Sequence, residues 1–171
     1  MSYKDGSYYR KFPKEWISIL QLELSKEFPG YDDGRLLSGY LPPVAATSIL
    51  GKLAAKLPSS PEGITLGGVV YYTPHYARVR NLSHAARGAE AAKIYEFSMY
   101  THETYHAIDQ ELTSPFPLLP GSGPWKWFLK YVLRLIKTPD AHKHPMEIPA
   151  YAFQRYVKVL AEKAATSFLE P

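Results

Sequence analysis

The 171-residue sequence contains no cysteine, which excludes disulfide bonds and thiolate ligands for a metal. It also has no run of about 20 apolar residues, the length that a membrane-spanning helix requires. The N-terminal stretch MSYKDGSYYRKF lacks the apolar segment of a secretory signal, so a cytoplasmic location is expected. The formal net charge is only +4, and the Lys and Arg residues are scattered. Because no nucleic-acid-binding motif accompanies them, binding to nucleic acid is not expected.

The sequence does contain enough apolar material for one sizeable core. Hydrophobic residues make up 46% of the chain and charged residues 21%, which is ordinary for a globular protein. At this length, a single domain that spans residues 1–171 is expected. It divides into a helical N-terminal part, residues 1–60, which carries no recognisable signature, and a core, residues 60–168, which carries the motifs described below.

Proline and glycine delimit the predicted secondary structure. Apolar residues at helical spacing predict helices at residues 14–28, 43–57, 89–111, 125–137 and 146–168. Residues 63–72 are β-branched and aromatic around Gly67-Gly68, which predicts a hairpin of two short strands. Residues 74–83 and 114–124 are predicted to be irregular. The helix at 89–111 has large side chains on two faces, so it is expected to lie buried at the centre of the domain.

The predicted helix 125–137 is basic and amphipathic. One stripe carries Lys126, Lys130, Arg134 and Lys137, and the apolar face holds Trp125, Phe128, Val132, Leu135 and Ile136. Such helices can lie on a membrane surface, but more often they cover a core and keep their lysines in water. Membrane association is therefore not expected.

The string His102-Glu103-Thr104-Tyr105-His106 is an H-E-x-x-H motif within the predicted central helix. Residues four apart lie on one helix face, so both imidazoles can approach one zinc ion to about 2.0–2.1 Å. Glu103 lies beside this pair and can act as general base on a water bound to the ion. The competing interpretation is that these side chains lie on a helix surface without a metal.

A tetrahedral zinc site needs a third protein ligand, and the sequence offers His142, His144 and Glu147. Glu147 begins the last predicted helix in an otherwise apolar segment, where a carboxylate is costly without a partner. A metal ion would be that partner, but a first-turn glutamate is also favoured by the helix dipole alone. If a histidine instead completed four protein ligands, the site would be closed. A non-catalytic zinc-binding structural or interaction module is therefore the alternative function.

Three blocks of the sequence resemble the gluzincin metallopeptidases, especially their small bacterial zincin domains. The first is Ile-Thr-Leu-Gly followed by an aromatic strand, at residues 64–72. The second is His-Glu-x-x-His-Ala-x-Asp-Gln, at residues 102–110, and the third is Glu-x-x-Ala-Tyr, from Glu147 to Tyr151. The resemblance spans residues 60–155.

This resemblance implies a zinc metallopeptidase with Glu147 as the third zinc ligand and a peptide or protein as substrate. It also implies an α+β fold that is mostly α, in which a small antiparallel sheet lies beside the active-site helix. In such enzymes the edge strand binds an extended peptide by strand addition, and residues 69–72 are the corresponding segment here.

The sequence departs from the larger gluzincins at Tyr151, where those enzymes have an aspartate that orients the first histidine. Another group must then hold the histidine nitrogens, and Asp109 is the candidate because it shares their helix face. A peptidase also needs a hydrogen-bond donor for the developing oxyanion. Tyr151 ranks first for that role, with His142 and His144 as alternatives, although a tyrosine of the core is an equally ordinary interpretation of Tyr151.

Overall fold

The computed structural model describes residues 11–29, 62–66, 69–113, 123–138 and 140–167. The predicted helix 43–57, the Gly67-Gly68 pair and most of the predicted connection 114–124 lie outside the described residues. Within the described part of the chain, no helix is both long enough and apolar enough to cross a membrane.

Four helices account for most of the described residues. They are α1 (Lys14–Glu27), α2 (Pro74–Thr113), α3 (Gly123–Lys137) and α4 (Glu147–Ser167), and a 3-10 turn at Ala141–Lys143 precedes α4. The bounds of α1, α3 and α4 confirm the predicted helices to within two residues at each end. Proline and glycine positions, together with helical spacing, were therefore sufficient to locate these three elements.

Helix α2 begins much earlier than predicted, and the prediction of a loop at residues 74–83 is wrong. Pro74 occupies the first helical position, where its missing N–H would have no intrahelical acceptor in any case. The helix is interrupted at Gly88, whose φ of 84° and ψ of −178° are accessible essentially to glycine alone. Gly88 thus separates two helical halves rather than ending a loop.

The predicted α+β fold, in which a small antiparallel sheet forms part of the architecture, is also wrong, because the described part of the chain is a helical protein. Its extended residues are β1 (Gly63–Leu66) and β2 (Val69–Tyr72), which pair as a ladder from Gly63↔Tyr72 to Leu66↔Val69. A two-stranded ladder of this length is marginal by itself and does not form a layer on which a core is built. It lies against the second half of α2 as an accessory to the helices.

The core is formed where α1 and α4 pack on the second half of α2. This confirms the predicted burial for most of the 89–111 helix, since almost every side chain from Glu96 to Gln110 is buried, whereas Ala89, Glu90 and Lys93 are exposed. Phe97 is fully buried, and its ring lies 5.2 Å from that of Phe12 and 5.1 Å from that of Trp16. The other buried members of this cluster come from all three helices: Ile17, Leu20, Leu24, Tyr76, Met99, Tyr100, Tyr105, Ile108, Ala150, Phe153, Val157 and Ala161.

A partly buried ionic group connects the two halves of α2 with the residues that precede α1. The Glu96 carboxylate accepts a hydrogen bond of 2.6 Å from Lys11 Nζ and a second hydrogen bond from Arg80 Nε. Burial alone would raise the pKa of Glu96, but the hydrogen bonds and charges of Lys11 and Arg80 outweigh it and lower that pKa. Arg80 and Glu96 lie on opposite sides of the break at Gly88, so this contact fixes the angle between the halves.

Candidate metal centre

The two histidines of the H-E-x-x-H motif point to the same side of α2. His102 and His106 are one helical turn apart and 5% and 4% exposed, and their Nε2 atoms are separated by 3.1 Å. The ring planes are nearly perpendicular, at 83°, which lets both lone pairs converge on one region. Their burial follows from the position of α2 at the centre of the domain.

Glu147, the first residue of α4, closes a triangle with these histidines. Its Oε2 lies 3.0 Å from His102 Nε2 and 3.2 Å from His106 Nε2. The chain turns into α4 because the His144 carbonyl accepts hydrogen bonds from the N–H groups of Glu147 and Ile148. Burial would raise the pKa of Glu147, but the charges of and hydrogen bonds from His106 and His102 outweigh it and lower that pKa.

The donor atoms fit a single divalent cation. Ligands held at about 2.0–2.1 Å in a tetrahedron are about 3.3 Å apart, close to the separations within this triangle. When both Nε2 atoms are unprotonated, their lone pairs and the carboxylate oxygen face one another, and a shared cation would relieve the repulsion between them by accepting all three. His102, His106 and Glu147 form the group of potential metal ligands among the described residues, and all three are buried.

His144 and His142 do not join this group. The His144 ring is fully buried, and its Nδ1 accepts the Met146 N–H at 3.2 Å. Its Nε2 therefore carries the proton and donates to the Tyr131 carbonyl at 3.2 Å, so neither nitrogen remains for a metal. His142 is exposed, and its ring contacts Tyr151. Among the described residues, only these three side chains supply ligand atoms, and a tetrahedral ion held by them would have one further coordination position, as catalytic zinc sites do.

Glu103 lies beside the triangle but is not part of it. The carboxylate is 2% exposed and accepts a hydrogen bond from the Thr65 hydroxyl of β1. Burial is the largest influence on the pKa of Glu103 and raises it, against the opposing charges of His102 and His106. A buried carboxylate with a raised pKa is suited to accept and return a proton near neutral pH.

Comparison with known protein families, with curated proteins and with solved structures found no match to this chain. What the site can do therefore follows from its own side chains: two imidazoles, one carboxylate that meets them and a second carboxylate beside them.

The predicted hydrogen bond between Asp109 and a histidine is not present. Asp109 Oδ2 instead accepts the indole N–H of Trp127 from α3, at 2.7 Å. Within the described part of the chain, the Nδ1 atoms of His102 and His106 are buried without a hydrogen-bond partner. The prediction used the spacing along α2 alone, and it did not include the packing of α3 against this face.

Two tyrosines approach the triangle from different helices. The Tyr151 ring lies 4.7 Å from that of His102, and burial followed by the charge of Glu147 raises the pKa of its hydroxyl. Burial, the charge of Glu147 and a hydrogen bond to it raise the pKa of Tyr131. Both hydroxyls therefore stay protonated and able to donate.

Sequence reasoning missed Tyr131, Trp127 and Thr65. The predicted apolar face of α3 included Ile136, which is 70% exposed, whereas Trp127 and Tyr131 are buried and stack on each other. The signal that was available is their spacing of four residues, which is typical of an aromatic pair on one helix face. For Thr65 no local signal exists, because its partner lies 38 residues away.

Proposed function

We propose that this chain is a zinc-dependent metallopeptidase of the gluzincin type, with His102, His106 and Glu147 as zinc ligands and Glu103 as general base. The observation that carries the proposal is the convergence of three potential ligand atoms from two helices within 3.2 Å of one another, with a second, buried carboxylate, that of Glu103, beside them. This combination matches the H-E-x-x-H chemistry expected from the sequence.

The donor set supports zinc among the available metals. Two imidazoles and one carboxylate with an open corner form a set that catalytic zinc sites use, and the chain has no thiolate that would favour a structural site. A zinc ion held there supplies Lewis acidity and lowers the pKa of a coordinated water to about 7.

The protein side chains would transfer the proton and stabilise the developing charge. Glu103 accepts a proton from the attacking water and returns it to the amine that leaves when the peptide bond breaks. Tyr151, whose ring lies 4.7 Å from that of His102, is the candidate donor to an oxygen that becomes negatively charged. The Tyr131 hydroxyl is already engaged by Glu147. The four side chains of the site are at most 5% exposed, and this burial strengthens each of these electrostatic interactions.

A non-catalytic zinc module is the second candidate. A closed site requires a fourth protein ligand, for which His144 was the buried candidate. The engagement of both its ring nitrogens by backbone groups counts against that function. A purely structural site also does not require a buried carboxylate beside the ligands, such as that of Glu103.

The test is the Glu103→Gln variant, compared with Glu90→Gln at an exposed position of the same helix. Both purified proteins are expected to bind one zinc ion per chain. With a library of quenched fluorescent peptides, Glu103→Gln should lose at least about a hundredfold in turnover, because it lacks the proton acceptor. Glu90→Gln should match the wild type. Hydrolysis that survives in Glu103→Gln would contradict the proposed role.

A further inference from the structure

Two residues from the segments that resemble gluzincins have no part in the mechanism described above. Thr65 lies in the Ile-Thr-Leu-Gly block and Gln110 ends the H-E-x-x-H block. In the structure they meet, because Gln110 Nε2 donates a 2.6 Å hydrogen bond to the Thr65 carbonyl. The Thr65 hydroxyl in turn donates to Glu103 Oε2. All three residues are at most 3% exposed.

We propose that Thr65 and Gln110 are positioning residues for the Glu103 carboxylate. Gln110 holds the backbone of β1 against α2, and Thr65 then directs its hydroxyl to one carboxylate oxygen, which leaves the other oxygen to exchange the proton with water. This inference rests on the proposed function, in which Glu103 is the general base.

The chemistry of the hydroxyl supports this direction of bonding. Thr65 Oγ1 has one proton and two oxygens of Glu103 within reach, the carboxylate Oε2 and the backbone carbonyl at 3.4 Å. The closer carboxylate oxygen is also the stronger acceptor because it carries charge. The β-branched Thr65 side chain has few rotamers, so a fixed backbone gives a fixed hydroxyl.

The contact between Thr65 and Glu103 also gives the short hairpin a role in an otherwise helical protein. A two-stranded ladder contributes little stability alone. Here it carries Thr65 to a buried face of α2 and is bound there by a long-range hydrogen bond from Gln110. The hairpin therefore supplies one hydroxyl to the site. If this hydroxyl were removed, the Glu103 carboxylate would be free to rotate.

The test compares three zinc-loaded variants with the wild type. Thr65→Val keeps the shape and removes the hydroxyl, and Thr65→Ser restores the hydroxyl. Thr73→Val is the matched control, because Thr73 is a buried threonine beside the hairpin whose hydroxyl binds the Glu62 carbonyl. With the peptide library, kcat of Thr65→Val should fall about 10–100-fold at unchanged KM, since a misplaced base costs rate and not binding. Thr65→Ser should recover to within about threefold, and Thr73→Val should match the wild type.

Crystal structures of the same zinc-loaded proteins provide a readout that does not require activity. The Glu103 carboxylate should rotate away from its wild-type orientation in Thr65→Val and keep it in Thr65→Ser and Thr73→Val. If the wild type cleaves no peptide, the proposed function fails, and the orientation of Glu103 still decides the positioning role. An unchanged carboxylate in Thr65→Val, or equal loss of kcat in Thr65→Val and Thr73→Val, would overturn the inference.

Discussion

The individual side chains of the site differ in how far the sequence defines them. His102, His106 and Glu103 follow from helical periodicity, because a spacing of four places the imidazoles on one face whatever surrounds the helix. For Glu147 the local pattern left a metal ligand and a simple helix-start glutamate equally open. Only the packing of α4 on α2 brings its Oε2 to 3.0 Å from His102.

Asp109 shows that the spacing of residues along one helix does not predict which neighbouring helix a side chain contacts. It shares a helix face with the histidines, but a helix face is a broad surface and the nearest partner is the Trp127 indole from α3. The Nδ1 atoms of the histidines consequently have no partner among the described residues. The available hydrogen-bond geometry thus assigns Asp109 to holding α3 against α2.

The Asp109→Asn variant tests this assignment at the scale of one residue. Zinc affinity, measured by competition with a chromophoric chelator, should stay within about threefold of the wild type, because no ligand is oriented by this carboxylate. Groups that do orient a histidine ligand cost about 10–100-fold when they are removed. Thermal stability should fall slightly, since a hydrogen bond to a charged acceptor is weakened. A drop in zinc affinity of tenfold or more would restore the original prediction for Asp109.

At the scale of the elements, helices were predictable and their junctions were not. The periodic segments of α1 and α4 agree with the sequence because each buries one apolar stripe. The bounds of α3 agree as well, although the buried side chains described there are Trp127 and Tyr131, and Ile136 is exposed. Pro74 and Gly88 suggested the two ends of a loop by residue type alone. In the structure Pro74 begins α2, and Gly88 bends α2 between its two halves. A Gly-Gly pair between β-branched residues predicts only local strand pairing, and the fold class depends on how much else packs on those strands.

The bent α2 gives a prediction about stability and pH. Glu96→Gln removes the charge that meets Lys11 and Arg80 across the break at Gly88. The free energy of unfolding should fall by about 1–2 kcal/mol at neutral pH, less than for a fully buried pair because the cations are 37% and 42% exposed. The control variant is Glu162→Gln, which removes a surface ion pair with Lys158. This variant should change the free energy of unfolding by less than about 0.5 kcal/mol.

The pH dependence of this effect has a defined sign. The pKa of Glu96 is lowered in the folded protein relative to the ordinary value of 4.5, so the unfolded chain takes up the proton first as pH falls. The stabilisation is complete above pH 4.5 and is lost as the pH falls further through the lowered pKa. Chemical denaturation of wild type and Glu96→Gln should therefore converge in acid. A constant difference between them down to pH 3 would contradict the ion-pair account.

At the scale of the whole molecule, the site is a junction of elements that are distant in the chain. His102 and His106 come from α2 and Glu147 comes from α4, while α3 supplies the aromatic side chains and β1 supplies the hydroxyl that binds Glu103. A cation at this junction would connect α2 to α4 and couple its binding to folding. Sequence patterns describe each element separately, which explains why the shared helix face of His102 and His106 was predictable while the contacts of Thr65, Trp127 and Tyr131 were not.

The central claim is that one cation is held by His102, His106 and Glu147 with one coordination position left to solvent. X-ray absorption spectroscopy of the protein loaded with one equivalent of zinc tests it directly, with Glu147→Gln as the comparison. We expect the zinc ion to have two imidazole nitrogens and two oxygens at about 2.0–2.2 Å, with one oxygen from Glu147 and one from water. In Glu147→Gln we expect this coordination shell to change. A shell with three or more imidazoles, or a shell that Glu147→Gln leaves unchanged, would contradict it.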